Sequence, residues 1–105
     1  MSTVVVRYRT KPEQADENQR LVEAVFAALA AQRPVGLRYM TLRLADNTFV
    51  HVAEVTADTN PLSELDAFAA FSGSVADRCE PGDGPNPQPA TVVGAYGFPI
   101  SRAAS

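Results

Sequence analysis

The sequence predicts a single α+β domain in which strands and helices follow the order βαββαβ. Three observations carry this reading. Four short runs are rich in β-branched and aromatic residues, two longer runs repeat apolar residues at helical spacing, and the turn pair Asp46-Asn47 joins the two middle short runs. At 105 residues, 46% hydrophobic and 20% charged, the chain suits one globular domain spanning 1–105, too short to divide into two useful cores.

Residues 3–10 open the chain as a strand that sets Val4, Val6 and Tyr8 on one face and Val5, Arg7 and Arg9 on the other. Pro12 then suits the first position of a helix, with Lys11 before it held extended by the proline ring. Leu21, Val22, Val25, Phe26 and Leu29 form the apolar stripe of that helix, acids crowd its first turns, and Arg33-Pro34 ends it. Residues 36–45 and 48–57 read as an antiparallel hairpin.

Asn60-Pro61 starts a second helical stretch running to Cys79, and Ser72-Gly73-Ser74 should kink it or split it into two short helices. Residues 80–90 hold four prolines and two glycines, which predicts a stiff loop without ladder hydrogen bonds. Residues 91–98 read as the fourth strand, and 99–105 as a short tail.

Two βαβ units joined by a hairpin give a four-stranded antiparallel sheet with both helices on one face. The other face is then bare, yet the third strand is apolar on both sides, with Phe49, Ala53 and Val55 on one and Val50 and Val52 on the other. The fourth run shows the same doubling. Such a face predicts a second sheet packed against it, most simply that of an identical chain in a homodimer.

The run Val-Val-Val-Arg-Tyr-Arg into Lys11-Pro12-Glu13, the strand Phe49-Val50-His51-Val52-Ala53-Glu54-Val55 followed by a helix, and the terminal Val92-Val93-Gly94-Ala95-Tyr96 resemble the dimeric α+β barrel superfamily, nearest its antibiotic biosynthesis monooxygenase-like group. The resemblance covers residues 3–98. It implies a ferredoxin-like unit whose sheet closes into a barrel with that of a second subunit. It also implies a range of activities, from cofactor-free oxygenases and haem degraders to members with no known activity. The haem degraders rely on an asparagine, tryptophan and histidine set, whereas this chain has no tryptophan and carries its one histidine on the third strand.

Composition removes several functions. A net charge of −3 with scattered basic residues offers no stripe for nucleic-acid phosphates. No apolar run approaches a membrane span, and the early charge at Arg7 leaves no signal sequence, so the expected location is cytoplasmic. One cysteine, Cys79, cannot form an intrachain disulfide or a cysteine metal cluster, and no metal site is expected. Zinc-protease, nucleophile-elbow, dithiol and phosphate-loop spacings are missing.

The residues left to carry chemistry are few. His51 is the one side chain that ordinarily titrates near neutrality, so it is either a proton-transfer group or a hydrogen-bonded core histidine. Tyr39 and Tyr96, with Tyr8, could orient an aromatic substrate or donate to a developing oxyanion, or simply pack. His51, Tyr39 and Tyr96 are the candidate catalytic set. Arg7, Arg9 and Arg38 could hold an anionic ligand with Glu54, or Glu54 could be neutralised by one of them at the dimer interface. The order of Arg38 and Tyr39 leaves open which of them faces His51.

Two functions follow. The resemblance implies a cofactor-independent monooxygenase-like enzyme, needing no cofactor, that acts on a small aromatic or quinol-type substrate. The alternative is a non-catalytic homodimeric module that binds a small hydrophobic, aromatic or anionic ligand or serves as a scaffold, since fold alone does not transfer activity.

Overall fold

In the computed structural model, which describes residues 2–98, strand β1 (Ser2–Arg9) lies inside a four-stranded sheet of order β2-β3-β1-β4. Pro12–Gln14 form a 3₁₀ turn leading into α1 (Ala15–Gln32), with Lys11 extended before the proline. Arg33 closes the helix in the left-handed region, its N–H donating to the Leu29 carbonyl. The hairpin strands are β2 (Leu37–Arg43) and β3 (Thr48–Val55), both antiparallel neighbours as the sequence predicts. Asn47 takes the left-handed conformation at the turn, and Asp46 Oδ1 accepts from the Thr48 N–H.

The second helical stretch is broken where Ser72-Gly73-Ser74 requires it. A 3₁₀ turn at Pro61–Glu64, capped by Asn60 Oδ1 accepting from the Leu62 N–H, leads to α2 (Asp66–Ser72) and a short α3 (Val75–Arg78).

The fourth strand departs from the expectation. It is β4 (Asn86–Pro89), inside the segment predicted to be a ladder-free loop, and residues 91–98 form no strand. The prolines explain how this is possible. Pro85, Pro87 and Pro89 recur with period two, so they all fall at the alternate positions whose N–H would point away from β1. Asn86 pairs with Arg7 and Gln88 with Val5, and the Ala90 N–H reaches the Thr3 carbonyl at 2.8 Å. An edge strand needs donors only at every second residue, and here the residues between the prolines supply them. With that edge of β1 occupied, residues 91–98 have no place beside it, and Val93 and Tyr96 stand almost fully exposed.

Pairing of Val6 with His51 and of His51 with Thr41 fixes the faces. Val4, Val6, Tyr8, Phe49, His51, Tyr39 and Thr41 look toward the helices, whereas Thr3, Val5, Arg7, Arg38, Met40, Val50, Val52 and Glu54 occupy the opposite side. The core sits between the first face and the buried stripe of Val22, Val25, Leu62, Leu65, Phe71 and Val75. No helix among the described residues is long and apolar enough to cross a membrane.

Candidate active site

Between the helix-facing side of the sheet and the α2–α3 region lies a cavity of about 430 Å³. Val4, Val6, Ala53, Val55, Leu62, Phe68 and Val75 form much of its wall, and Tyr8, Tyr39 and His51 bring polar atoms to it. The alternation of β1 and β3 causes this grouping. Tyr8, His51 and Tyr39 run diagonally across three adjacent strands, His51 lying opposite Val6 and Thr41, Tyr8 opposite Phe49 and Tyr39 opposite Ala53.

His51 is 4% exposed and has partners at both ring nitrogens. Its Nε2 lies 2.8 Å from Tyr8 Oη, while Nδ1 lies 2.6 Å from Tyr39 Oη and 3.1 Å from Thr41 Oγ1. The rings are layered as well, with Tyr8 and Tyr39 stacked 5.4 and 5.8 Å from the imidazole and Phe71 tilted 5.3 Å away. Burial drives the imidazole pKa from 6.5 down to about 4, so His51 is neutral at pH 7. Burial likewise raises both phenols, Tyr8 far above its ordinary value and Tyr39 in the same direction.

The polar chain continues behind Tyr8. Asn18 Nδ2 donates to Tyr8 Oη at 2.9 Å, and Arg78 Nε donates to Asn18 Oδ1 at 2.9 Å. Arg78 is 5% exposed and spends its other donors on Ser74 Oγ and the Phe71 carbonyl, with its guanidinium 5.5 Å from the Phe71 ring. No carboxylate pairs with it among the described residues.

The predicted site residues divide into separate groups. His51 and Tyr39 meet at the cavity. Tyr96 does not join them, being 97% exposed on the segment after β4. Arg7, Arg9, Arg38 and Glu54 all lie on the opposite sheet face from His51. Arg9 contacts Asp83 at 3.3 Å beside a surface hollow also lined by Arg7. Arg38 Nε stands 3.8 Å from Glu54 Oε1, beyond hydrogen-bond reach, and that buried oxygen has no hydrogen bond. Cys79 is a buried thiol whose S–H donates to the Val75 carbonyl, and burial raises its pKa. Asn18 and Arg78 escaped the sequence reading. Their signal was present, because Asn18 falls on the buried stripe of α1 with Ala15, Val22 and Val25, and Arg78 follows Val75 by one turn.

The site can hold a ligand without a formal charge. Among its lining residues Asp58 is the one acidic side chain and there is no lysine or arginine, so an anion would meet no counter-charge there.

No protein-family model matches the sequence, and no curated protein is significantly similar to it. Solved structures do share the fold. A candidate antibiotic biosynthesis monooxygenase from Bacteroides thetaiotaomicron superposes with a TM-score of 0.73 at 12% identity, over 95% of each chain. One from Nitrosomonas europaea gives 0.69 at 14% identity, over 87% of this chain and 88% of that one. A second Nitrosomonas europaea protein, of unknown function, gives 0.66 at 18% identity over 94% of each chain. The ferredoxin-like architecture of the antibiotic biosynthesis monooxygenase-like group is therefore the architecture of this chain, at identities that carry fold and not activity.

Proposed function

We propose that this chain takes one small, uncharged aromatic molecule into the cavity beside Tyr39, Tyr8 and His51, and oxidises it with dioxygen as a cofactor-independent monooxygenase-like enzyme. The observation that carries the reading is the distribution of polarity. A largely apolar, aromatic wall carries one hydrogen-bonded cluster, Tyr8, Tyr39 and His51, with Ser2, Asp58, Asn60 and Ser72 also on its lining, which suits a flat molecule bearing one oxygen held by that cluster. The reaction class comes by analogy of fold with neighbours described as candidate monooxygenases. In it an activated ring CH₂ becomes a carbonyl while O₂ is reduced, one oxygen atom entering the product and the other leaving as water.

The protein's part is to orient the substrate and manage its proton. Tyr39 holds the substrate oxygen, and the Tyr8–His51 pair accepts the proton released when the substrate anion forms. Moving a proton from a phenol-like acid of pKa about 10 to an imidazole of pKa about 4 is uphill by about 8 kcal/mol. A turnover of about one per second tolerates a barrier of about 17 kcal/mol, so the step fits within it.

A second reading, binding without turnover, is favoured by one observation: both imidazole nitrogens already have partners and the ring is a weak base. Oxygen uptake with anthrone separates the two. The enzyme consumes one O₂ per anthrone, and Ala53→Phe, which fills the cavity, abolishes uptake. Anthrone that binds without oxygen loss establishes the binding module instead.

We further propose that the open sheet face packs on a second copy of this chain. Support comes from the apolar residues Val5, Val50 and Val52 and the half-exposed Met40 and Leu42 on that face.

A further inference from the structure

We infer that Arg78 and Asn18 are positioning residues that fix which nitrogen of His51 carries the proton, and thereby make the cavity prefer a ligand with a hydrogen-bond-accepting oxygen. Only the ligand preference rests on the proposed aromatic ligand; the position of the His51 proton does not. Arginine has donors and no acceptor, so the Asn18 atom facing Arg78 must be its oxygen. The Asn18 amide N–H therefore points at Tyr8 Oη. Tyr8, 3% exposed, then has its own proton to place, and His51 Nε2 at 2.8 Å is its one remaining partner among the described residues. Leaving a buried hydroxyl proton unpaired is costly, so Tyr8 donates and Nε2 accepts.

The neutral imidazole then carries its proton on Nδ1 and donates it toward Tyr39 Oη at 2.6 Å, with Thr41 Oγ1 beside it at 3.1 Å. Tyr39 receives this hydrogen bond, and its own O–H is free to turn between the neighbouring Thr41 hydroxyl and the ligand. A buried cation more than one residue removed from the cavity thus sets the polarity of the whole chain: Arg78 to Asn18 to Tyr8 to His51 to Tyr39. The site selects a carbonyl over a group that can only donate.

Asn18→Asp reverses the logic at constant size. The carboxylate accepts from Arg78 and also from the Tyr8 O–H, Tyr8 then accepts from His51 Nε2–H, and Nδ1 becomes the acceptor for Tyr39, whose proton turns inward. Because His51 is the only histidine, its ring nitrogens give one unambiguous set of ¹⁵N resonances. The wild type should show the Nδ1–H form and Asn18→Asp the Nε2–H form. Fluorenone should bind the wild type roughly five- to tenfold more tightly than fluorene, the advantage of one hydrogen bond, and Asn18→Asp should erase the difference. An Nε2–H wild type overturns the inference without any variant, and so does a folded Asn18→Asp protein that keeps the Nδ1–H form. If neither probe shifts the His51 resonances, the aromatic-ligand reading falls, while the ring tautomer still decides the relay.

Discussion

Acid should destabilise this protein through His51 before its carboxylates are reached. The folded imidazole has a pKa of about 4 and the unfolded one about 6.5, so below pH 6.5 the unfolded chain binds a proton that the folded chain refuses. The contribution is complete above pH 6.5 and is lost as pH falls toward 4. The full difference is worth about 3 kcal/mol, of which about 2 kcal/mol disappears between pH 7 and 5. For a domain of this size, 2 kcal/mol lowers the melting temperature by roughly 8 °C or more. Urea unfolding at a series of pH values, compared with His51→Gln, isolates this effect, because the glutamine variant keeps every carboxylate. The wild type should lose stability with the predicted slope between pH 6.5 and 4 while the variant stays flat until the carboxylates titrate. Parallel curves, or a His51 NMR pKa near 6.5 in the folded protein, would refute the buried neutral imidazole.

Other perturbations test the packing and the assembly. Phe49→Ala removes a ring that is 1% exposed and stacked 5.6 Å from Tyr8, and should cost about 3–5 kcal/mol in urea unfolding, a loss below 1 kcal/mol contradicting its place in the core. Gly36→Ala should cost at least about 1 kcal/mol, because Gly36 has φ of +82° and an added Cβ would lie 2.7 Å from Ala57 Cβ; an unchanged melting temperature would contradict this local geometry. Light scattering at micromolar concentration should give twice the 11.2 kDa chain mass, and Val52→Asp should halve it; a wild-type monomer would remove the second copy from the open face.

Most of the architecture was legible because it rests on short-range rules. Period-two alternation set the faces of β1 and β3, Pro12 and Pro61 marked the helical starts, and the Ser72-Gly73-Ser74 break appeared where helix propensity fails. The fourth strand was not legible by the same rules. Proline content argued against a ladder at 80–90, whereas the spacing of Pro85, Pro87 and Pro89 satisfies an edge, and the β-like composition of 91–98 was the stronger local signal. At the site, His51 and Tyr39 could be named from residue type, but their meeting depends on the β2–β3 register, which sequence left open between Arg38 and Tyr39. Asn18 and Arg78 lie 60 residues apart, and their hydrogen bond exists only because α1 and α3 pack on the same side of the sheet.

If the cavity beside Tyr39, Tyr8 and His51 receives a small neutral aromatic molecule, as proposed, the ring resonances of the single histidine report on it directly. Titrating the protein with anthrone without oxygen should move the His51 signals along a saturable curve, and the same titration of a folded Ala53→Phe protein should leave them still. His51 resonances that stay fixed in the wild type at saturating anthrone would contradict the account.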